Sequence, residues 1–134
     1  MNEGMSAREG AVTTLTKQLS EADVALFQLV TGETEVSAEE PPIPAKQVRQ
    51  AAPMSLLGAL LATAAAQHAI RPQLARFITQ TVTFHEPAYN DDALTVTAQV
   101  AGLEPASRSL RIVARCDNQD GRRLADGEFL LSEQ

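Results

Sequence analysis

Groups able to move a proton or attack a carbon are few in this chain of 134 residues, and they are scattered. The two histidines are His68 and His85, and the one cysteine is Cys116. A lone cysteine can neither staple a fold nor build a metal cluster by itself, and its place among alternating apolar residues suits a small filler in a strand. Carboxylates crowd into one stretch, Glu33, Glu35, Glu39 and Glu40, just after Gly32. A carboxylate there can activate a water as a general base. Four like charges so close together also read as a solvated loop. His68 and His85 stand far from that run in sequence, and each reads as an ordinary surface or partly buried imidazole. Arg108, Arg111 and Arg115 alternate along one stretch, which suits a charged outer sheet face or contact with a phosphate-rich ligand.

The elements that must hold these groups are marked by local chemistry. Val12 to Leu19 is threonine-rich and suits a short edge strand. Ser20-Glu21-Ala22-Asp23 is a capping box, in which the Ser20 hydroxyl takes a backbone N–H and Asp23 reaches back. The helix it opens places Val24, Phe27, Leu29 and Val30 near one face and closes at Gly32. From Glu33 to Pro44, acids and prolines forbid regular structure and predict an exposed loop. A second helix is expected from Pro53 to Ile70, stopped by Arg71-Pro72. Met54, Leu56, Leu57, Ala59, Leu60, Leu61 and the alanines that follow make it apolar all round, so it should be buried on every side. Period-two patterns then predict strands at Phe77 to Phe84, Leu94 to Val100, Ser109 to Cys116 and Leu124 to Leu131. Turns are signalled at Tyr89 to Asp92, Gly102 to Ser107 and Asp120-Gly121. One buried helix followed by an antiparallel meander is an α+β layout.

The bulk properties fit one domain with a core of Leu, Val, Ile and Ala, since the chain has four Phe, one Tyr and no Trp. A formal net charge of −6 argues against nucleic acid and anionic membrane as partners. Residues 1–11 read as a flexible leader without an apolar signal segment, and residues 12–134 as the domain. The run Met54 to Ala66 is too short to span a bilayer, so a cytoplasmic location is expected.

Three stretches resemble the MaoC-like family, which includes (R)-specific enoyl-CoA hydratases and 3-hydroxyacyl dehydratases. Leu19 to Gly32, LSEADVALFQLVTG, is similar to that family's capped helix. Leu57 to Thr63, LGALLAT, is similar to the start of its central helix, His-Gly-Met-Leu-Leu-Ala-Ser. Phe84 to Leu94, FHEPAYNDDAL, is similar to its Phe-x-x-Pro-Val-x-x-Gly-Asp-x-Leu. The resemblance implies a hot-dog fold, an antiparallel sheet wrapped around one long central helix. It implies an acyl-CoA or acyl-carrier-protein thioester as ligand, a homodimer or a heterodimer with a related protomer, and no metal or cofactor.

The resemblance also locates the chemistry. The family's Gly-Asp-x-Asn-Pro-x-His-x-Asp follows the first helix, and its Asp and His exchange protons with the C2–C3 bond of an acyl thioester. Laid over that motif, Glu33 falls on the Asp and Ala38 on the His. Ala38 cannot move a proton, and Glu33 carries its carboxylate one methylene further out, a displacement of the order that can cost about 100-fold in rate. Leu57 stands where the family has a second histidine, and Gly58 would offer a backbone N–H to the thioester carbonyl. Ser55 and Thr63 could hydrogen-bond the thioester or simply pack in a tight helix contact. Glu33 is thus the catalytic candidate, with Ser55, Leu57 and Gly58 as substrate-binding candidates. Three readings stand open: a hydratase or dehydratase with weakened or lost activity, a non-catalytic subunit or assembly module paired with an active protomer, or a thioesterase relying on Glu33.

Overall fold

The computed structural model describes residues 8–32, 51–69 and 75–132. Along the chain run β1 (Val12–Gln18), α1 (Glu21–Thr31), α2 (Met54–Ala66), β2 (Arg76–Phe84), β3 (Ala93–Glu104), β4 (Ser109–Asp117) and β5 (Arg123–Ser132). The strands form one antiparallel sheet in the order β1-β3-β4-β5-β2, so β1 and β2 are its edges. Alternation sets the two faces. Leu94, Val96, Ala98 and Val100 of β3 and Leu110, Ile112, Ala114 and Cys116 of β4 are buried beneath α2. Thr95, Thr97, Arg111, Val113 and Arg115 take the opposite, outer face. Cys116 is the strand filler its pattern suggests. Burial, with the neighbouring Asp117 charge, pushes its thiol up to about 11.

The capping box forms as expected. Asp23 N donates to Ser20 Oγ at 3.1 Å and Ser20 N donates to Asp23 Oδ2 at 3.0 Å. The Ser20 hydroxyl and Lys17 also bond the Asp23 carboxylate and hold its pKa below the usual range. Gly32 ends the helix at φ 76°, a left-handed position that suits glycine. The apolar face of α1 needs correction. Only Val24 is buried and Phe27 half-buried, while Leu29 and Val30 are 77% and 76% exposed. At 100° per residue, positions 24, 27, 28 and 31 share a side, and Leu26, Leu29 and Val30 fall opposite.

Helix α2 begins where expected, with Pro53 as its cap, and gives way to turn at Gln67. Leu56, Leu57, Leu61, Ala64, Ala65 and Ala66 are buried against β3, β4 and β5, with lighter contact to β1. Met54, Ser55, Ala59 and Thr63 lie on the stripe turned away from the sheet. Burial on every side is therefore corrected to burial on one side, because one sheet covers one flank of a cylinder. The helix ends at Ala66, short of the expected Ile70, while Arg71-Pro72 and the acidic loop from Glu33 to Pro44 lie outside the described residues.

The turn chemistry is explicit. Gly121 sits at φ 75° in the β4–β5 hairpin, where the Asn118 side-chain oxygen accepts from Asp120 N and Arg122 N. The turn before β3 places Asp91 at φ 74°, the position where the resembled motif has glycine. Buried Asp92 braces that turn, accepting from Tyr89 N at 2.8 Å and from Gln119 Nε2 at 3.0 Å. The same turn holds the start of α1, since Leu19 exchanges backbone bonds with Asp91 and Asp92.

Candidate functional site

The described candidates gather at the first turns of α2. Ser55 is exposed, Leu57 is wholly buried in the core, and Gly58 is half-buried. Glu33 and Ala38 lie outside the described residues, so the catalytic half of the expected motif is not placed here. Pro53 provides no side-chain cap, and Leu56 N donates back to Pro53 O at 3.0 Å. Helical geometry places the positive end of the helix dipole at this first turn. Gly58 is the fifth helical residue, where an α-helix directs the N–H at the carbonyl four residues back. Its distinguishing property is instead a missing side chain. A Cβ built at Gly58 would touch only Phe84, whose ring Cζ lies 3.7 Å away.

Phe84 closes β2, and its strand partner Ala125 is fully buried beneath the helix face of the sheet. Phe84 is 40% exposed, with its ring Cζ against α2. This contact joins a strand to a helix distant in sequence, and only the quoted FHEPAYNDDAL stretch hinted at Phe84. The close approach of β2 to β5 rests on Gly127. A Cβ there would lie 2.6 Å from Thr81 O and 3.2 Å from Val82 Cγ2.

Neither histidine reaches this end of α2 to do chemistry. His68 is buried, and its Nε2 donates to Ala98 O at 3.0 Å, tying the far end of the helix to β3. His85 pairs with Asp126 at 3.0 Å on the other side of the sheet. The β4 arginines belong to that outer face, with Arg111 paired to Glu128 and Arg115 to Asp117, both at 3.5 Å. A groove of about 640 Å³ crosses the same face between Thr81, Thr97, Arg115 and Glu128. Its size does not make it the site, because it lies opposite α2 and its charges are already paired. Among the described residues no three His, Cys, Asp or Glu side chains gather as a metal would require. No described helix is long and apolar enough to cross a membrane.

Comparison with known proteins places this architecture. No protein-family model and no curated protein matches the sequence. Solved structures do match. The R-hydratase PhaJ1 from Pseudomonas aeruginosa, in the unliganded form, is 26% identical, with a TM-score of 0.79 over 96% of this chain and 84% of that one. An (R)-hydratase from A. caviae involved in PHA biosynthesis is 21% identical, with a TM-score of 0.80 over 96% and 98%. The chain has the hot-dog fold. A third neighbour is the ChsH1-ChsH2 complex from Mycobacterium tuberculosis, 15% identical, with a TM-score of 0.76 over 96% and 99%. The implied fold is thus confirmed, with α2 packed against four of the five strands.

Proposed function

We propose that this hot-dog chain binds an acyl thioester at the first turns of α2 and that, alone, it hydrates enoyl thioesters poorly or not at all. The observation that carries the reading is the match to R-hydratase PhaJ1 over 96% of the chain, joined to the three quoted motif stretches. The thioester carbonyl oxygen is received at the positive end of the α2 dipole, beside exposed Ser55. Gly58 and Phe84 form one wall of the acyl site, and buried Leu57 anchors the helix beneath it. Glu33 is the carboxylate able to activate water. Its proton-transfer partner is missing because Ala38 occupies the family's histidine position. The carrier is coenzyme A or acyl carrier protein, and the location is cytoplasmic.

A second protomer belongs to this reading. Edge strand β2 carries Phe77, Ile78 and Phe84 at 38%, 52% and 40% exposure, beside an open row of backbone donors and acceptors. Pairing that edge with another hot-dog chain would cover both. Ala38, together with the similarity to a complex of two named chains, favours a heterodimer in which this chain is the non-catalytic subunit.

The test is crotonyl-CoA hydration, followed as loss of the enoyl absorbance. The chain alone is expected to fall far below the usual enzyme range of roughly 1–1,000 per second. Glu33→Asp combined with Ala38→His should raise the rate more than either change alone, since paired catalytic groups act non-additively. Wild-type turnover inside the usual range would overturn the assignment of Ala38.

A further inference from the structure

We propose that the outer face of the sheet is an interaction surface for a second copy of this chain, laid face to face across a two-fold axis between β4 and β5. The surface stands apart from the thioester reading, since it lies opposite α2. Its centre is built from two neighbouring strands in matching rows. Arg115 of β4 stands beside Asp126 of β5, and Asp117 stands beside Arg123. Their bonds within the chain leave capacity unused. Arg115 has its Nε 3.5 Å from Asp117 Oδ2, against about 2.7–2.9 Å for a strong charge-assisted bond, and half its side chain is exposed. Asp126 meets His85 at 3.0 Å and Arg123 at 3.5 Å, both through Oδ2, so Oδ1 is left for a further donor. Asp117 and Arg123 are joined more tightly, at 2.7 Å.

A two-fold contact lays one patch on itself, so the order of signs selects the axis. An axis along β4 sets Arg115 against Arg115 of the other copy, and one along β5 sets Asp126 against Asp126. An axis across the strands, between this row and that of Val113 and Glu128, sets Asp126 against Glu128. An axis parallel to the strands and midway between β4 and β5 lays β4 of each copy over β5 of the other. Arg115 then meets Asp126 and Asp117 meets Arg123, each twice, with no like pair in either row. In the next rows Val113 faces Glu128, and half-buried Leu130 faces the long stem of Arg111. Sheets packed in this aligned manner stand about 10 Å apart with their side chains interdigitated. The groove of about 640 Å³ between Thr81 and Thr97 gives room for the arginines and glutamates of the second copy. The free edge of β2 is not consumed, so the face contact doubles whatever assembly that edge makes.

The experiment is sedimentation equilibrium on the full chain and two charge reversals, Arg115→Glu and Asp126→Arg. Wild type should have twice the mass of either variant. Each reversal should weaken the face contact about a hundredfold or more, because it sets like charges together at both symmetry-related positions. Mixing the two variants in equal amounts should restore the doubled mass. In a mixed pair the two substituted positions face each other with opposite signs, and the native Arg115 of one chain faces the native Asp126 of the other. A face that is merely solvated, or a variant that is merely destabilised, gives no such recovery. High salt should bring wild type down to the single-variant mass, a readout that needs no substitution and so holds even where a variant fails to fold. Equal masses for wild type and both variants, no recovery on mixing, or a wild-type mass indifferent to salt would each overturn the proposal. So would a wild type that gains mass only when a different hot-dog chain is added.

Discussion

Replacing Gly58 with alanine should stabilise the protein while narrowing the proposed acyl site. Glycine in a helix interior costs about 1 kcal/mol relative to alanine, because its backbone loses more freedom on folding. Gly58 is the fifth of thirteen residues in α2, well inside the helix. The new methyl group meets Phe84 Cζ at 3.7 Å and nothing else within 4 Å, so it adds contact without overlap. That contact is partial, since both residues are partly exposed, and contributes only a fraction of the ~0.8 kcal/mol for a buried CH₂. The expected gain is about 1 kcal/mol. For a chain of 134 residues, with an unfolding entropy of about 2.1 cal/mol/K per residue, this raises the Tm by roughly 3–4 °C. Thermal and urea melts by circular dichroism, at one fixed protein concentration because association shifts Tm, measure it directly. A fall in Tm would refute the reasoning, showing that Gly58 is kept for packing rather than for the ligand.

Three further outcomes follow from the geometry. Asp91→Gly should stabilise by about 0.5–1 kcal/mol in urea melts, because φ 74° strains an L side chain and suits glycine. Gly127→Ala should destabilise by roughly 1–3 kcal/mol, since its Cβ would meet the Thr81 carbonyl at 2.6 Å, and exchange should rise first in β2. Cys116, buried with its thiol raised to about 11, should resist alkylation at pH 7–8 until the protein unfolds. Its raised value also sets a sign. The stability Cys116 confers is fully present below the unfolded thiol value of about 8.5 and is lost as pH climbs through about 11. Comparing wild type with Cys116→Ala between pH 8 and 11 isolates that loss.

Much of the fold was legible because its signals are local. The period-two runs of β3 and β4 separate buried Val96 and Ile112 from outward Thr97 and Arg111, and the capping box at Ser20 and Asp23 forms bond for bond. Asp91 in the left-handed region supports the motif alignment that put it on a family glycine. What depends on tertiary placement was harder to read. Leu29 and Val30 sit on the outward side of α1, and the apolar girdle of α2 did not reveal that one sheet covers only one flank. The start of α2 was legible, because Pro53 suits a first turn and nothing in Met54-Ser55-Leu56-Leu57 resists helix. The Phe84–Gly58 contact, which dominates the proposed acyl site, joins two elements whose proximity no local pattern encodes.

Hydrogen exchange at the start of α2, with and without saturating crotonyl-CoA, tests the thioester-binding claim most directly. Ligand held by the first turn should slow exchange of the amides from Met54 to Gly58, and leave the β4–β5 hairpin around Gly121 unchanged. If crotonyl-CoA leaves Met54 to Gly58 exchanging at the unliganded rate, the site is not where the account places it.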